Sequence, residues 1–286
     1  MMAAPGSPDF AVQLGIEMLF VPGGAFLMGT EEPADTGEAT SDAAVWGSFL
    51  IGRAPASEGG RSAASCGRAS SAALRAREYP QHEVELDPYC ISRHPITIAQ
   101  YSTFASASGR RVWQPVMPEP CARDVAQLPA SFVSWEDAAA FCRWLSQRTN
   151  AAFRIPAEAE WEMSARGTDG RDYPWGDQPP TSWRSNYARE VGTVTDVRSY
   201  PAGASPWGCL DMAGNVWEWC SDWFGPDYYA RSPLRNPTGP ERGMSRVIRG
   251  GAYDSEASAL RSSARFYDNP AGATFFPCGF RIAMSV

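Results

Sequence analysis

A chain of 286 residues with a formal net charge of −7 and a pI near 5.0 is long enough to bury a sizeable core. It carries no basic footprint, so neither nucleic acid nor an anionic lipid surface is expected as a partner. All 25 cationic side chains are arginine, which excludes Schiff-base and lysine general-base chemistry; GC-rich coding explains this better than a need for arginine forks.

The opening MMAAPGSPDF has neither a basic n-region nor a long apolar stretch, and no apolar run approaches the ~18 residues of a membrane span. A cytoplasmic protein without a membrane span is therefore expected. In chain order, Met18–Thr30 reads as a strand pair turning at Pro22-Gly23-Gly24. Glu31–Arg77 follows, rich in Ala, Ser, Gly and Arg with a short apolar patch at Val45–Ile51; its composition predicts disorder or a loosely packed flap. Glu83–Leu86 alternates as a strand does, and Thr97–Ala107 places Ile98, Tyr101, Phe104 and Ala105 on one helical face. Ser134 with Asp137 has the form of a capping box opening a second helix that turns Ala138, Phe141, Cys142 and Leu145 inward. A third helix spans Ala157–Arg166, between Pro156 and Gly167. Beyond Gly167, short extended pieces alternate with Gly, Pro, Trp and Asn. Such backbone must be held by side-chain contacts, buried aromatics or ions, and the 11 tryptophans suit that role.

Seven cysteines (Cys66, Cys90, Cys121, Cys142, Cys209, Cys220, Cys278) are an odd number without paired spacing, as free thiols of a reducing compartment would be. His82 and His94 have no third ligand at helical spacing, so structural roles are expected ahead of metal binding, with His82 bonding backbone. Cys278 lies among Phe275, Phe276 and Pro277, apolar neighbours that raise a thiol's pKa, and a buried inert thiol is expected there.

Four further segments stand in a telling order: FRIPAEAEWEMSARG (Phe153–Gly167), YPWGD (Tyr173–Asp177), GCLDMAGNVWEWCSDW (Gly208–Trp223) and RVIRGGAYDSEASALRSSARFYDNPAGATFFPCGFR (Arg246–Arg281). Together with MLFVPGGAFLMGT and YPQHEVELDPYCISRHPITIAQY they resemble the formylglycine-generating enzyme (sulfatase-modifying factor) family over nearly the whole chain. The resemblance implies one α+β domain over 1–286 with a C-type-lectin-like fold: two to three helices, small antiparallel sheets and much irregular backbone. Residues 31–77 are then an insertion in a loop that is usually short. Ala157 stands where the family has a threonine N-cap, a loss of about 1 kcal/mol.

The family binds calcium through positions matching Asp211, Gly214, Val216 and Glu218, two side-chain carboxylates and two carbonyls, and a structural calcium is expected there. A second family site near Asn186 depends on an acidic loop that is shortened here and is not expected. Formylglycine-generating enzymes activate oxygen at copper held by two cysteines after the RGG. No cysteine lies between Cys220 and Cys278, and the segment Ala252–Arg265 offers serines instead, so neither copper nor that oxidation is expected.

The pattern RGG…LRSxxR…P…GFR, with small polar and aromatic residues between fixed positions, also resembles the variable region of diversity-generating-retroelement target proteins. That implies a C-terminal recognition surface at about 246–286. Its contacts are Tyr253, Asp254, Ser255, Glu256, Phe266, Tyr267, Asp268, Thr274, Phe275 and Phe276, braced by Arg249, Arg261 and Arg281. The partner would be a protein or small-molecule ligand. The alternatives are a divergent metal-dependent oxidase or other modifying enzyme, with Glu256, Asp254 or Tyr253 as acid or base and Trp217 or Trp219 as walls, or a catalytically silent partner of an active relative.

Overall fold

The computed structural model describes residues 11, 14–32, 75–113, 124–271, 274 and 276–286. Most of the insertion and Phe275 lie outside the described residues. Thirteen regular elements set the frame: β1 (Met18–Val21), β2 (Gly24–Met28), β3 (His82–Leu86), β4 (Tyr89–Ser92), α1 (Ile98–Ser108), α2 (Trp135–Thr149), β5 (Phe153–Arg154), α3 (Glu158–Arg166), β6 (Trp217–Trp223), β7 (Arg246–Arg249), β8 (Arg265–Asp268), β9 (Cys278–Gly279) and β10 (Ala283–Ser285).

The first two helices follow their local signals. Thr97 accepts the Gln100 N–H, Gln100 accepts the Thr97 N–H in return, and Ile98, Tyr101, Phe104 and Ala105 are buried. Ser134 accepts the Asp137 N–H at 3.1 Å to open α2, whose Ala138, Phe141, Cys142 and Leu145 are buried. Tyr101, Phe104, Phe141 and Phe280 pack their rings between the two helices and the C-terminal segment.

The expected hairpin at Met18–Thr30 is not one. β1 pairs antiparallel with β4, and β2 with β3, so the two strands enter different sheets. The turn between them carries Gly23 at φ +73°, where a Cβ would stand 2.4 Å from the Leu86 carbonyl oxygen; this close approach redirects the chain. β10 pairs with β4 and β5, giving a sheet ordered β1-β4-β10-β5 that joins both ends of the chain. The second four-stranded sheet runs β8-β7-β6-β9, antiparallel except for β6 with β9.

Helix α3 contacts β2, β3, β6 and β7, and every one of its residues is buried. A helix enclosed on all sides and rich in glutamate must have its charges met internally. Residues two apart point some 200° apart around a helix, so Glu160 faces away from Glu158 and Glu162, which stand four apart and share a face. Glu158 takes a forked pair from Arg265 of β8 (2.8 and 2.7 Å), Glu160 one from Arg154 of β5 (2.5 and 2.7 Å), and Glu162 bonds Arg166, the Gly29 N–H and Arg249 of β7. The missing threonine cap is supplied from elsewhere. Asp222 of β6 accepts the Glu158 N–H at 2.9 Å, and Glu160 accepts the Ala157 N–H at 2.8 Å. Among the described residues no helix is long and apolar enough to cross a membrane.

The Asp222 cap has a pH signature. Burial, and then the Glu158 carboxylate, push its pKa from 3.8 to about 7. Between those values the folded protein holds a proton that the unfolded chain has released. This group therefore makes stability fall as pH rises from about 4 to about 7. Asp222→Asn keeps an acceptor for the cap and removes the titration, so urea unfolding should show the variant gaining about 1–3 kcal/mol on wild type between pH 4.5 and pH 8. Parallel pH profiles for the two proteins would refute this reading.

Candidate ligand-binding surface

The C-terminal segment is built on arginines that go inward. Arg249, Arg261, Arg265 and Arg281 are at most 4% exposed, and each meets a buried carboxylate. Burial would weaken these cations, but the facing carboxylates outweigh it and hold all four pKa values above the ordinary arginine value. Burial also pushes Glu162 upward; Arg249 and Arg166 overcome that and hold it below the usual carboxylate range. Gly250, at φ +92°, passes so close to Trp161 that a Cβ would sit 3.1 Å from its ring.

Between these anchors the expected contact residues fall into two patches. In the first, the chain turns at Tyr253–Ser255, closed by bonds from the Ala252 N–H to Ser255 Oγ (2.9 Å) and from the Ser255 N–H to the Ala252 carbonyl (3.0 Å). A neighbouring loop pins it: the Ala188 and Arg189 N–H groups donate to the carbonyls of Ser255 and Tyr253, and the Arg189 guanidinium stands 3.8 Å from the Asp254 carboxylate. Tyr253, Asp254 and Ser255 are half-buried and Glu256 is exposed. The Tyr187–Glu190 loop thus belongs to this surface, although nothing in its local sequence marks it; Ala188 and Arg189 adopt positive φ (51° and 59°) only in this tertiary context.

The second patch is the outer strand β8 with Phe276. Phe266 and Tyr267 are half-buried, their rings 5.6 Å apart; Phe266 packs on Trp217 and Phe276, and Tyr267 stacks on Phe224 at 4.2 Å. Arg77, from the end of the insertion, lies over both rings, 4.7 Å from the Phe266 centroid and 5.1 Å from that of Tyr267. Asp268 is half-buried with its pKa raised by burial, and its Oδ2 has no hydrogen-bond partner. Thr274 departs from expectation: it is buried, its hydroxyl donating to the Phe276 carbonyl, so it supports the loop rather than facing a ligand.

The loop expected to hold calcium lies beneath the first patch. Asp211 is buried, with its pKa pushed by desolvation from 3.8 to about 8, and its Oδ2 accepts a bond from Asn215. Asn215 also receives Asn186 Nδ2, while Asn186 Oδ1 is buried without a partner. Asp211 forms no ion pair among the described residues, and its buried carboxyl oxygens are of the type a hard cation takes. Glu218 is differently placed: Arg281 bonds both of its oxygens (2.5 and 2.7 Å) and Trp161 Nε1 donates to Oε2 at 2.7 Å, so its charge is already met. Among the described residues no three or more His, Cys, Asp or Glu side chains converge on one point, and a cation here would draw on backbone carbonyls as well.

The free thiols and imidazoles take structural positions. Cys142, Cys209, Cys220 and Cys278 are buried, and desolvation raises their pKa values, that of Cys142 to about 12. The Nδ1 atoms of His82 and His94 bond the carbonyls of Pro80 and Pro95.

Comparison with known proteins agrees with this architecture. The family model of the sulfatase-modifying factor enzyme 1-like domain matches residues 6–286. The formylglycine-generating enzyme of Streptomyces coelicolor is 36% identical over 264 residues, covering 72% of this chain and 81% of that protein. PvdO of Pseudomonas aeruginosa superposes over 100% of both chains at a TM-score of 0.71 and 24% identity. Variable protein 1 of Treponema denticola does so over 72% of this chain and 87% of its own, at 0.62 and 24%. The fold is the expected α+β, C-type-lectin-like one.

The division between frame and surface predicts a contrast in stability. Arg281→Ala strands the buried Glu218 carboxylate and should cost about 3–5 kcal/mol, whereas Asp254→Ala removes only a long, partly exposed ion pair and should cost less than about 1 kcal/mol. Chemical denaturation of the two variants at neutral pH checks this; similar losses would mean that the first patch is part of the frame.

Proposed function

This chain belongs to the family of sulfatase-modifying factor enzyme 1-like domains, and we propose that within it the protein is a ligand-binding one. It displays a recognition surface from its C-terminal region and does not oxidise cysteine to formylglycine. The observation that carries this reading is the division just described: the arginines of the segment turn inward to buried carboxylates, leaving Tyr253–Glu256 between them at the surface. Aromatic side chains beside short polar ones suit contact with a protein or small molecule. The sequence from Cys220 to Cys278 contains no thiol to serve as a copper ligand, and serine hydroxyls are poor donors to copper(I). One neighbour of like fold is itself named a variable protein, which supports reading the segment between Gly251 and Gly279 as diversified by a retroelement.

Sequencing this gene's 3′ end across a population of its host tests the diversification. Substitutions should concentrate at Tyr253–Glu256 and Phe266–Phe276 while Arg249–Gly251 and Gly279–Arg281 stay fixed. A segment as uniform as the rest of the gene refutes it.

A second reading, a divergent oxidase or other metal-dependent modifying enzyme, is favoured by the 36% identity to a formylglycine-generating enzyme. Metal analysis of the purified protein separates the two, since stoichiometric copper or iron would support the enzyme and overturn the binder.

The calcium expected at Asp211, Gly214, Val216 and Glu218 remains part of the proposal, with Asp211 as its principal carboxylate and a structural role in fixing the loop beneath the surface. Added calcium should raise the Tm of the wild type, chelator should reverse it, and Asp211→Ala should abolish the response. A wild-type Tm indifferent to millimolar calcium would count against the site.

A further inference from the structure

A cleft of about 220 Å³ lies between α2, β5 and β6, and among the described residues none that lines it belongs to the proposed recognition surface. Trp135, Ala139, Cys142 and Arg143 of α2 line it at the spacing i, i+4, i+7, i+8, which makes a stripe on the helix beside the one turned into the core. Phe153 of β5 and Ile155, both buried, line it from the other side. These apolar walls are held in place. Trp135 Nε1 donates to the Cys220 carbonyl at 2.9 Å, and the Arg246 guanidinium lies 3.9 Å from the centre of the Trp135 ring. The Cys142 thiol, its pKa pushed up to about 12 by burial, stays neutral and acts as a small apolar group. Of the polar side chains in the lining, Arg154 is forked to Glu160 at 2.5 and 2.7 Å, and Ser221 Oγ donates to Asp222 at 3.1 Å. Arg143 is different: it is exposed and forms no ion pair or hydrogen bond among the described residues. Of the acidic residues on its helix, Asp137 is paired with Arg110, and Glu136 stands two turns, about 10 Å, along the axis.

We propose that this cleft binds a small monocarboxylic acid whose apolar body is the size of one aromatic ring, the ring lying between Trp135, Ala139, Cys142 and Phe153 and the carboxylate on Arg143. The volume sets the size: an apolar cavity of about 150 Å³ takes benzene, so one of about 220 Å³ has room for a ring and a short acidic arm. The lining sets the polarity, because a mostly apolar pocket orients its ligand through the few polar groups it has. Arg154 and Ser221 are already matched, which leaves the Arg143 guanidinium to choose the ligand. A cation would be repelled by it and a neutral molecule would leave its charge unmet, whereas a carboxylate accepts a forked, charge-assisted pair. Since Arg143 stands in water, that pair contributes only as much as an exposed ion pair does, and burial of the ring supplies most of the affinity.

The probes are 3-phenylpropionate and its uncharged amide, titrated by NMR into wild type, Arg143→Gln and Ala139→Leu. Wild type should bind the acid with a Kd of about a millimolar or below, as a ligand of this size allows, and at least about threefold more tightly than the amide. Arg143→Gln should bring the acid to the level of the amide and leave the amide unchanged. Ala139→Leu fills the cleft from the helix and should weaken both by roughly tenfold or more; Ala139→Met serves if circular dichroism shows the leucine variant unfolded. No saturable binding of the acid, equal affinity for acid and amide, or a preference that survives Arg143→Gln overturns the proposal. Unchanged affinity in a folded Ala139 variant puts the ligand elsewhere and overturns it as well. Tyr253–Glu256 and β8 are untouched by these substitutions, so the recognition surface stands or falls separately.

Discussion

The buried glutamates of α3 organise the molecule. A helix with no solvent-facing side can carry Glu158, Glu160 and Glu162 only if each finds a cation, because an unpaired buried carboxylate costs several kcal/mol. Glu158 and Glu162 share one face of the helix and Glu160 takes the opposite one, which makes it a hub: Arg265, Arg154 and Arg249 come from three strands in two sheets, and each strand is located by the carboxylate its arginine meets. The same device recurs at Glu78–Arg261 and Glu218–Arg281, which tie the end of the insertion and the last residues of the chain to the interior. This also assigns a role to part of the arginine content. The planar five-donor group meets a carboxylate and adjacent carbonyls at once, as Arg281 does with Glu218, Ser92 and Leu210, and lysine could not. Exposed arginines such as Arg189 and Arg235 need no such explanation.

A frame fixed by buried forks frees the residues between its anchors from structural duty. Asp254 sits in a turn whose shape comes from backbone bonds and Ser255, and its own side chain makes one long ion pair. Its side chain can change at small cost to the fold. Ser255 is less free, since its hydroxyl closes the turn, and Thr274 is buried. The surface is therefore a mosaic in which variable-looking positions alternate with ones the scaffold uses.

Helices α1 and α2 were legible because their signals are local: a capping residue, an inward period of three to four, and a left-handed stop at Gly109 or Asn150. Where the determinant is remote in sequence, legibility fails. Ala157 reads as an absent cap, yet the acceptor arrives from Asp222, sixty-four residues on. Met18–Thr30 reads as a hairpin because alternation and a Pro-Gly-Gly turn suggest one, but pairing partners are chosen by the whole sheet and each strand found a different one. At the surface, composition pointed to Tyr253–Glu256 and β8. It gave no sign that the Tyr187–Glu190 loop joins the first or that Arg77 covers the second, since both contacts span long stretches of chain.

The insertion's last turn links these observations. Glu78 is bound into the frame through Arg261 and Ser263, while the Arg77 guanidinium beside it lies over the Phe266 and Tyr267 rings. A segment joined to the scaffold by a buried ion pair at one residue is laid on the aromatics of β8 by the next, so the frame also shapes the outer face of that strand. The same forks that bury charge for stability thus also set one guanidinium over the outer aromatics of β8.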